Sequence, residues 1–193
     1  KGAIVITTKR GNVEGLNVSV RANTGFHVAK AYPEYLGSAE YMTLYNEALL
    51  KDDPTAKPLY TAEQIYNHGS GLNPYRYPNI NYYSSDYVKK AYNRSEVTAE
   101  ITGGGKRARF YSNVSYYRIG DFLDFGEAKN NMTDRFNVRG NVDVDINSFI
   151  SAYINANATF YNSKSAKGDY WNAAATVRPN FPQNAAPLIP LDM

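Results

Sequence analysis

Strict alternation of apolar and polar residues predicts five long β-strands in this chain. The clearest case covers residues 134–147, where every even position from Phe136 to Ile146 is apolar or glycine and every odd position is polar. A period of two marks a strand with one apolar and one polar face. The same pattern predicts strands at about 16–28, 96–103, 108–120 and 150–162. The chain is therefore expected to be all-β and antiparallel.

The two last strands also predict their own pairing. Both carry their apolar residues at even positions, so these residues share a face only if partner numbers sum to an even value. A three-residue loop at 147–149 meets this condition. It places Val142 opposite Ile154, and Asp143 opposite Tyr153. The facing of strand 108–120 stays open, because Phe110 and Tyr111 put aromatic rings on both faces.

The segment between the first and second strands is rich in Tyr, Asn and Pro and predicts short helices. Ser38–Lys51 is expected to be helical with Ser38 as its N-cap, and Thr61–Asn67 begins with a capping box of Thr61 and Gln64. A third short helix is predicted at Ser85–Tyr92.

Strand length and loop asymmetry favour a membrane barrel over a soluble sandwich. An apolar band about 25 Å tall, crossed at a tilt of about 40°, needs roughly 10 residues per strand, whereas soluble strands average about five or six. Short turns follow Ile101 and Ile146, but long links occupy residues 29–94, 121–133 and 163–193. If the two faces were reversed, Arg135 and Arg139 would point into lipid, at a free-energy cost of roughly 2 to 4 kcal/mol each near the midplane. Five strands cannot close a barrel, so the chain is expected to be a piece of a longer protein.

Composition removes several other classes. Among 193 residues there are 21 basic and 18 acidic side chains, no cysteine, two histidines and 18 tyrosines. No disulfide, metal, cofactor or nucleic-acid partner is expected from this composition. The calcium-loop spacing that begins at Asp143 fails at Ser148, where glycine is required. The acids Asp121, Asp124 and Glu127 could supply a glycosidase pair, but loop acids are more often solvated, so no catalytic residue or enzyme activity is predicted.

Four sequence blocks resemble one family. Gly2–Gly11 reads GAIVITTKRG, Ser38–Tyr41 is followed by Tyr45–Ala48, the pair Gly103-Gly104 precedes Arg109–Ser112, and Arg135–Asp143 reads RFNVRGNVD. In this order they resemble the end of the plug, the first-loop helix, the first periplasmic turn and a barrel strand of SusC/RagA-type TonB-dependent outer-membrane transporters, which are found in Bacteroidetes.

The resemblance implies a fold, a location and partners. Residues 1–11 would be the last strand of the plug domain, and residues 12–193 the first five strands of a 22-stranded transmembrane barrel with extracellular loops at 29–94, 121–133 and 163–193. Such a protein imports an oligosaccharide, or sometimes a peptide, across the outer membrane. It is energised by the TonB complex, which contacts a segment outside this chain, and is covered by a SusD-like surface lipoprotein.

Two groups of residues are candidates for contact with cargo. Aromatic faces combined with amides suit sugars, which points to the loop residues Tyr75, Tyr77, Tyr82, Tyr83, Tyr170, Trp171 and Asn172. The polar strand faces offer a lumen lining of Arg135, Arg139, Asp143, Asp145, Tyr153, Asn155 and Asn157. The tyrosines could equally pack loop against loop or contact the lipoprotein, and the lining residues could bond to each other or to the plug.

Three functions remain open from sequence. An active importer leaves the apolar face, including Val138 and Val142, to lipid. A soluble or secreted β-rich glycan-binding module would bury the same face under a second sheet. A passive porin is disfavoured by the plug-like first strand.

Overall fold

The computed structural model describes residues 2–4, 9–12, 15–170 and 172. They form two compact units. Of the described residues, the sheet unit contains those up to 27 together with 91–121 and 130–165, and the loop unit contains 28–90, 122–129, 166–170 and 172.

The sheet unit is an open, five-stranded antiparallel sheet, which confirms the all-β class. Its strands are β1 (Asn17–Val28), β2 (Ala91–Gly104), β3 (Ala108–Gly120), β4 (Met132–Asp145) and β5 (Ser151–Lys164), and their order in space follows their order in the chain. Strand β2 begins five residues before the predicted start at Glu96. The extension is held against β1, where the rings of His27 and Tyr92 stack at 4.7 Å.

The predicted register of β4 and β5 is confirmed. Val142 lies opposite Ile154, and Asp143 opposite Tyr153. The turn is closed by the Asn147 side chain, whose Oδ1 accepts hydrogen bonds from the backbone N–H groups two and three residues later, at 2.9 and 2.8 Å. An asparagine that bonds to its own following backbone fixes a tight turn, and the turn fixes the pairing.

The facing of β3, which the pattern left open, follows from its partners. Phe110 pairs with Val142 and therefore shares the apolar face, whereas Tyr111 pairs with Asn141 on the polar face. Val97 and Ala99 of β2 lie opposite apolar-face residues of β3. One apolar face and one polar face thus continue across β2 to β5.

Two side chains on the polar face are more deeply buried than any apolar side chain on the opposite face. On the polar face, Asn141 is only 1% exposed and Tyr111 only 7%. On the apolar face, Val142 is 39% exposed and Ile154 68%. A soluble sheet covers its apolar face with a core, and this sheet instead has contacts over its polar face.

The loop unit contains two α-helices, α1 (Ser38–Asp52) and α2 (Ala62–Ser70). The capping box of α2 is confirmed, because Thr61 N–H donates to Gln64 at 2.9 Å and Gln64 N–H donates to Thr61 at 3.2 Å. The predicted N-cap of α1 is wrong. Gly37 occupies that position, and Ser38 instead donates from its hydroxyl to the Pro78 carbonyl at 2.9 Å.

The third predicted helix, at Ser85–Tyr92, does not form. Val88 bridges to Leu123, and the Lys89 N–H donates to the Phe122 carbonyl at 2.7 Å. One helical turn forms, in which the Val88 N–H donates to the Ser84 carbonyl at 3.0 Å, but it is not continued because the backbone groups that follow pair with the second segment. Long-range pairing therefore decides this segment.

Small apolar clusters stabilise the loop unit. Met42 of α1 is fully buried, and Val88 and Leu123 are 3% and 2% exposed. The Asn46 side chain bonds to both backbone groups of the nearly buried Tyr60, at 2.7 and 3.1 Å. Neither α-helix in the described part of the chain is long and apolar enough to cross a bilayer.

Candidate functional site

Residues 9–12, called here the strap, lie against the polar face of the sheet. The Lys9 ammonium forms an ion pair with Glu100 of β2 at 3.0 Å. The Arg10 guanidinium binds Asp143 of β4 at 2.7 Å and lies 5.7 Å from the centre of the Tyr153 ring on β5. Charge-assisted hydrogen bonds and a cation–π contact therefore tie the strap to three strands.

Backbone contacts bring the strap close to the sheet. The Asn141 side chain donates to the Lys9 carbonyl at 3.0 Å, and its Oδ1 is buried without a hydrogen-bond partner. Gly11 lies directly over the Phe110 peptide, where a Cβ atom would come within 2.6 Å of the carbonyl oxygen. Only glycine allows this approach without displacement of the backbone.

Three predicted lining residues meet at Arg10. Asp143, Tyr153 and Asn155 all contact its guanidinium, with Asn155 Oδ1 at 3.4 Å. Arg10 was not among the predicted site residues. A contact across 133 residues leaves no local pattern in the sequence, although the GAIVITTKRG block did contain this arginine.

The other predicted lining residues are more dispersed. Asp145 accepts a hydrogen bond from the Ser151 hydroxyl at 2.7 Å and lies 3.9 Å from Arg109. Arg139 pairs with Asn157 across the β4–β5 register. These residues line the same polar face but do not form one cluster.

Arg135 belongs to a separate arrangement near the other end of the polar face. Its guanidinium carbon lies 5.2 Å from the centre of the Tyr117 ring, and that of Arg94 lies 5.3 Å from the same ring. Two guanidinium groups therefore stack on one tyrosine. Neither Arg94 nor Tyr117 was predicted, because Arg94 lies outside the strand predicted at 96–103 and the facing of the strand that contains Tyr117 was left open.

The loop unit contains an aromatic cluster of Tyr82, Tyr87, Phe122, Phe125 and Tyr170. Ring centres lie 5.2 Å apart for Tyr82 and Tyr87 and 5.6 Å apart for Phe125 and Tyr170. The Tyr170 hydroxyl donates to the Tyr82 carbonyl at 2.6 Å. This hydrogen bond links the first long loop to the segment after β5.

Burial raises the pKa of two hydroxyls in this cluster. It raises the pKa of Tyr82 to about 12, with a smaller contribution from nearby Tyr87. It also raises the pKa of Tyr170 well above its ordinary value. Both phenols therefore remain neutral hydrogen-bond donors into alkaline solution, where an exposed tyrosine would ionise.

A pocket of about 320 Å³ opens beside the cluster. It is lined by Asp86, Tyr87, Asp124, Phe125, Gly126 and Lys129. Backbone pairing of residues 87–89 with residues 122–124 forms this pocket, because the Asp124 N–H donates to the Tyr87 carbonyl at 2.9 Å. The pocket thus combines two aromatic rings with carboxylates and an ammonium group.

The predicted cargo-binding tyrosines do not form a single site. Tyr82 and Tyr170 meet in the aromatic cluster, but Tyr83 stacks on Tyr35 with ring centres 5.1 Å apart. Tyr77 packs against the buried His68, at 5.5 Å between ring centres, and Tyr75 is 61% exposed.

The end of the predicted loop site is only partly described. Asn172 is exposed, and its backbone N–H donates to Asp169 at 3.2 Å. Trp171 lies outside the described residues. Within the described ranges, no group of three or more His, Asp or Glu side chains is placed to hold a metal ion.

Comparison with known proteins adds no relative to this picture. No protein-family model, no curated protein and no solved structure matches the chain. The resemblance to SusC-type transporters therefore depends on the sequence motifs, and function is argued from the geometry.

Proposed function

We propose that this chain is part of a TonB-dependent outer-membrane transporter of the SusC type, which imports oligosaccharides or peptides together with a SusD-like lipoprotein. One observation carries the proposal: the apolar side chains of β4 and β5 are left uncovered, whereas Asn141 and Tyr111 on the polar face are buried. A transmembrane barrel needs this arrangement, with apolar residues toward lipid and polar residues toward the lumen.

The height of the apolar face suits a bilayer. Even positions of β5 and its turn are apolar from Ile150 to Phe160. The roughly 10 residue-to-residue steps from Ile150 to Phe160, at a rise of about 3.3 Å and a tilt of about 40°, span about 25 Å. This equals the usual height of the lipid-facing band of an outer-membrane barrel.

Aromatic and charged residues follow in the order expected at a membrane boundary. Tyr116, Phe136 and Phe160 pair side by side across three strands, with the two phenylalanine rings 6.2 Å apart. Two residues further along these strands, on the same face, the Arg118 guanidinium and the Asp134 carboxylate lie 3.7 Å apart. Aromatic side chains favour the interface, and charges are tolerated just outside it.

The strap supports the assignment of residues 1–11 to the end of a plug. Its cationic side chains bind carboxylates on the polar face, as the Arg10–Asp143 distance of 2.7 Å illustrates. In the proposed barrel these ion pairs fasten the last plug residues to the inner wall. TonB would then act on plug residues further toward the N-terminus.

The pocket in the loop unit supports a role in cargo capture. Tyr87 and Phe125 supply apolar ring faces, while Asp86, Asp124 and Lys129 supply groups that bond to hydroxyls. Sugars are usually held by this combination. The long loops of an outer-membrane barrel face the cell exterior, where cargo and a lipoprotein lid arrive.

Spin labels on two adjacent residues test the facing. Ala156 and Asn157 of β5 are both exposed and point to opposite faces. Each is replaced by cysteine in the intact protein, labelled, and studied in native outer membranes by electron paramagnetic resonance with oxygen and a water-soluble nickel chelate. The Ala156→Cys label is expected to collide with oxygen and the Asn157→Cys label with the chelate.

The glycan-binding module gives a different outcome. A second sheet over the apolar face would shield the Ala156→Cys label from both reagents, and the protein would be recovered in the soluble fraction. Purification from detergent-solubilised outer membranes, followed by mass spectrometry, tests the partners. A lipoprotein in roughly equal amount is expected with a SusC-type transporter, and its absence contradicts that part of the proposal.

A further inference from the structure

We infer that Arg94 and Arg135 form a binding site for a carboxylate group of the cargo, with Tyr117 as the residue that positions both guanidinium groups. The inference deepens the proposed function, because it names the chemical group that the polar face selects. The site lies wholly within the sheet unit and can be tested whether or not the protein imports anything.

The geometry holds the two arginines ready for a ligand. Tyr117 lies directly opposite Arg135 in the β3–β4 register, and both guanidinium carbons lie within 5.3 Å of its ring centre. A guanidinium that stacks on an aromatic ring keeps its N–H groups at the edge free to donate. Stacking also restricts two flexible side chains before a ligand arrives, which lowers the entropy cost of binding.

The local charge is only partly compensated. Arg94 forms an ion pair with Glu96 at 3.9 Å, whereas Arg135 has no carboxylate within ion-pair distance among the residues that the structure describes. By contrast, the strap cation Arg10 has a carboxylate at 2.7 Å. The Arg94–Arg135 end of the polar face therefore has an excess of positive charge that an anionic ligand can neutralise.

A carboxylate fits these donors better than a neutral group does. The planar fork of a guanidinium matches the two oxygens of a carboxylate and binds both with parallel hydrogen bonds. Arg139 lies on the same face four residues along β4, about 13 Å away. It too lacks a carboxylate partner within the described part of the chain. A cargo with repeated carboxylates could therefore move from one arginine to the next.

Two sources can supply this group, a uronic acid unit of an oligosaccharide and an acidic side chain of a peptide. We therefore name three probes for calorimetric titration of the intact, detergent-purified protein at low ionic strength: trigalacturonate, its neutral methyl ester, and triglutamate. We expect trigalacturonate or triglutamate to bind at least tenfold more tightly than the ester. The tighter of the two identifies the source. Equal affinity for acid and ester, or no binding of either acid, would overturn the inference.

Variants assign the binding to this site. Arg135→Gln is expected to weaken binding of the acidic probe roughly ten- to hundredfold, the loss typical of a hydrogen-bonded charged group. Arg107→Gln is the matched control. It removes the same charge from the exposed β2–β3 turn, about 33 Å along the strand from Tyr117, and should leave affinity unchanged. An equal loss in both variants would mean that net charge alone attracts the probe.

Substitutions of Tyr117 test the positioning role. Tyr117→Phe keeps the ring and should retain affinity, whereas Tyr117→Leu should weaken binding while the dependence of affinity on salt concentration stays the same. That salt dependence reports the number of charges at the site, which Tyr117→Leu does not alter. Equal affinities for the two variants would refute the positioning role. The spin-label experiment reports membrane facing independently, so failure of one proposal leaves the other measurable.

Discussion

Replacement of Ala156 by arginine gives a quantitative test of which face of the sheet meets lipid. Ala156 pairs with Gly140, which in turn pairs with Ser112, in the middle row of the apolar face. It lies four residues from Phe160, about 13 Å along the strand, or about 10 Å in depth at a tilt of about 40°. This position is close to the midplane of a band about 25 Å tall.

The expected cost depends on depth and on face. At the midplane, Ala156→Arg should lower the free energy of unfolding by about 2 to 4 kcal/mol, because the guanidinium loses its hydration. Asn162→Arg, just beyond the aromatic row on the same side, should cost at most about 1 kcal/mol. Asn157→Arg points to the polar face, where it lies opposite Arg139, and should cost at most about 1 kcal/mol from the like charges.

The assay is equilibrium unfolding of the intact protein in phospholipid vesicles. Guanidinium chloride is titrated, the folded fraction is read from mobility in unheated gels, and free energies are obtained by linear extrapolation. A repeat in a thinner bilayer adds a control, since the cost at Ala156 should fall when the midplane lies nearer to water.

Two results would refute this assignment of faces. Equal destabilisation by Ala156→Arg and Asn157→Arg would show that the two faces do not differ in environment. A large cost at Ala156 that is independent of bilayer thickness would indicate that protein, rather than lipid, covers the apolar face.

Two further predictions concern the strap and the aromatic cluster. Gly11→Ala should destabilise the protein by about 1 to 3 kcal/mol, because its methyl group would collide with the Phe110 peptide. Gly25→Ala is the control in the same unfolding assay, since the space around its Cβ position is open. Equal destabilisation by the two substitutions would contradict the contact between Gly11 and Phe110. The phenol of Tyr82 has a folded pKa of about 12, above its ordinary value of 10.0, so its contribution to stability is complete below pH 10 and is lost as the pH rises toward 12. In unfolding measurements at alkaline pH, Tyr82→Phe should lose less stability over that interval than the unaltered protein, and it should form less tyrosinate by absorbance. An unchanged loss of stability would contradict the assignment.

Much of the sheet followed from local pattern. Alternation with a period of two places residues on faces without reference to the rest of the chain, so the β4–β5 register could be derived from parity and a turn at Asn147. The same reasoning failed for β3, whose tyrosines and phenylalanine populate both faces. Only its partners decided that Phe110 shares the face of Val142.

The candidate sites were less predictable. Asp143, Tyr153 and Asn155 were named from their place on the polar face, but their common partner Arg10 was not. The stacking of Arg94 and Arg135 on Tyr117 was missed for the same reason. Side chains that meet across separate strands depend on register and rotamer, which a single strand does not encode.

Sequence alone thus determined the approximate strands, the two faces of β4 and β5 and the turn at Asn147, because these depend on neighbours a few residues apart. Tertiary structure decided the rest. It replaced the helix predicted at Ser85–Tyr92 with pairing to Leu123, since long-range backbone hydrogen bonds outweigh a weak helical preference. It also brought Arg10 to Asp143, because an ion pair across 133 residues forms only when the fold places both charges at one point.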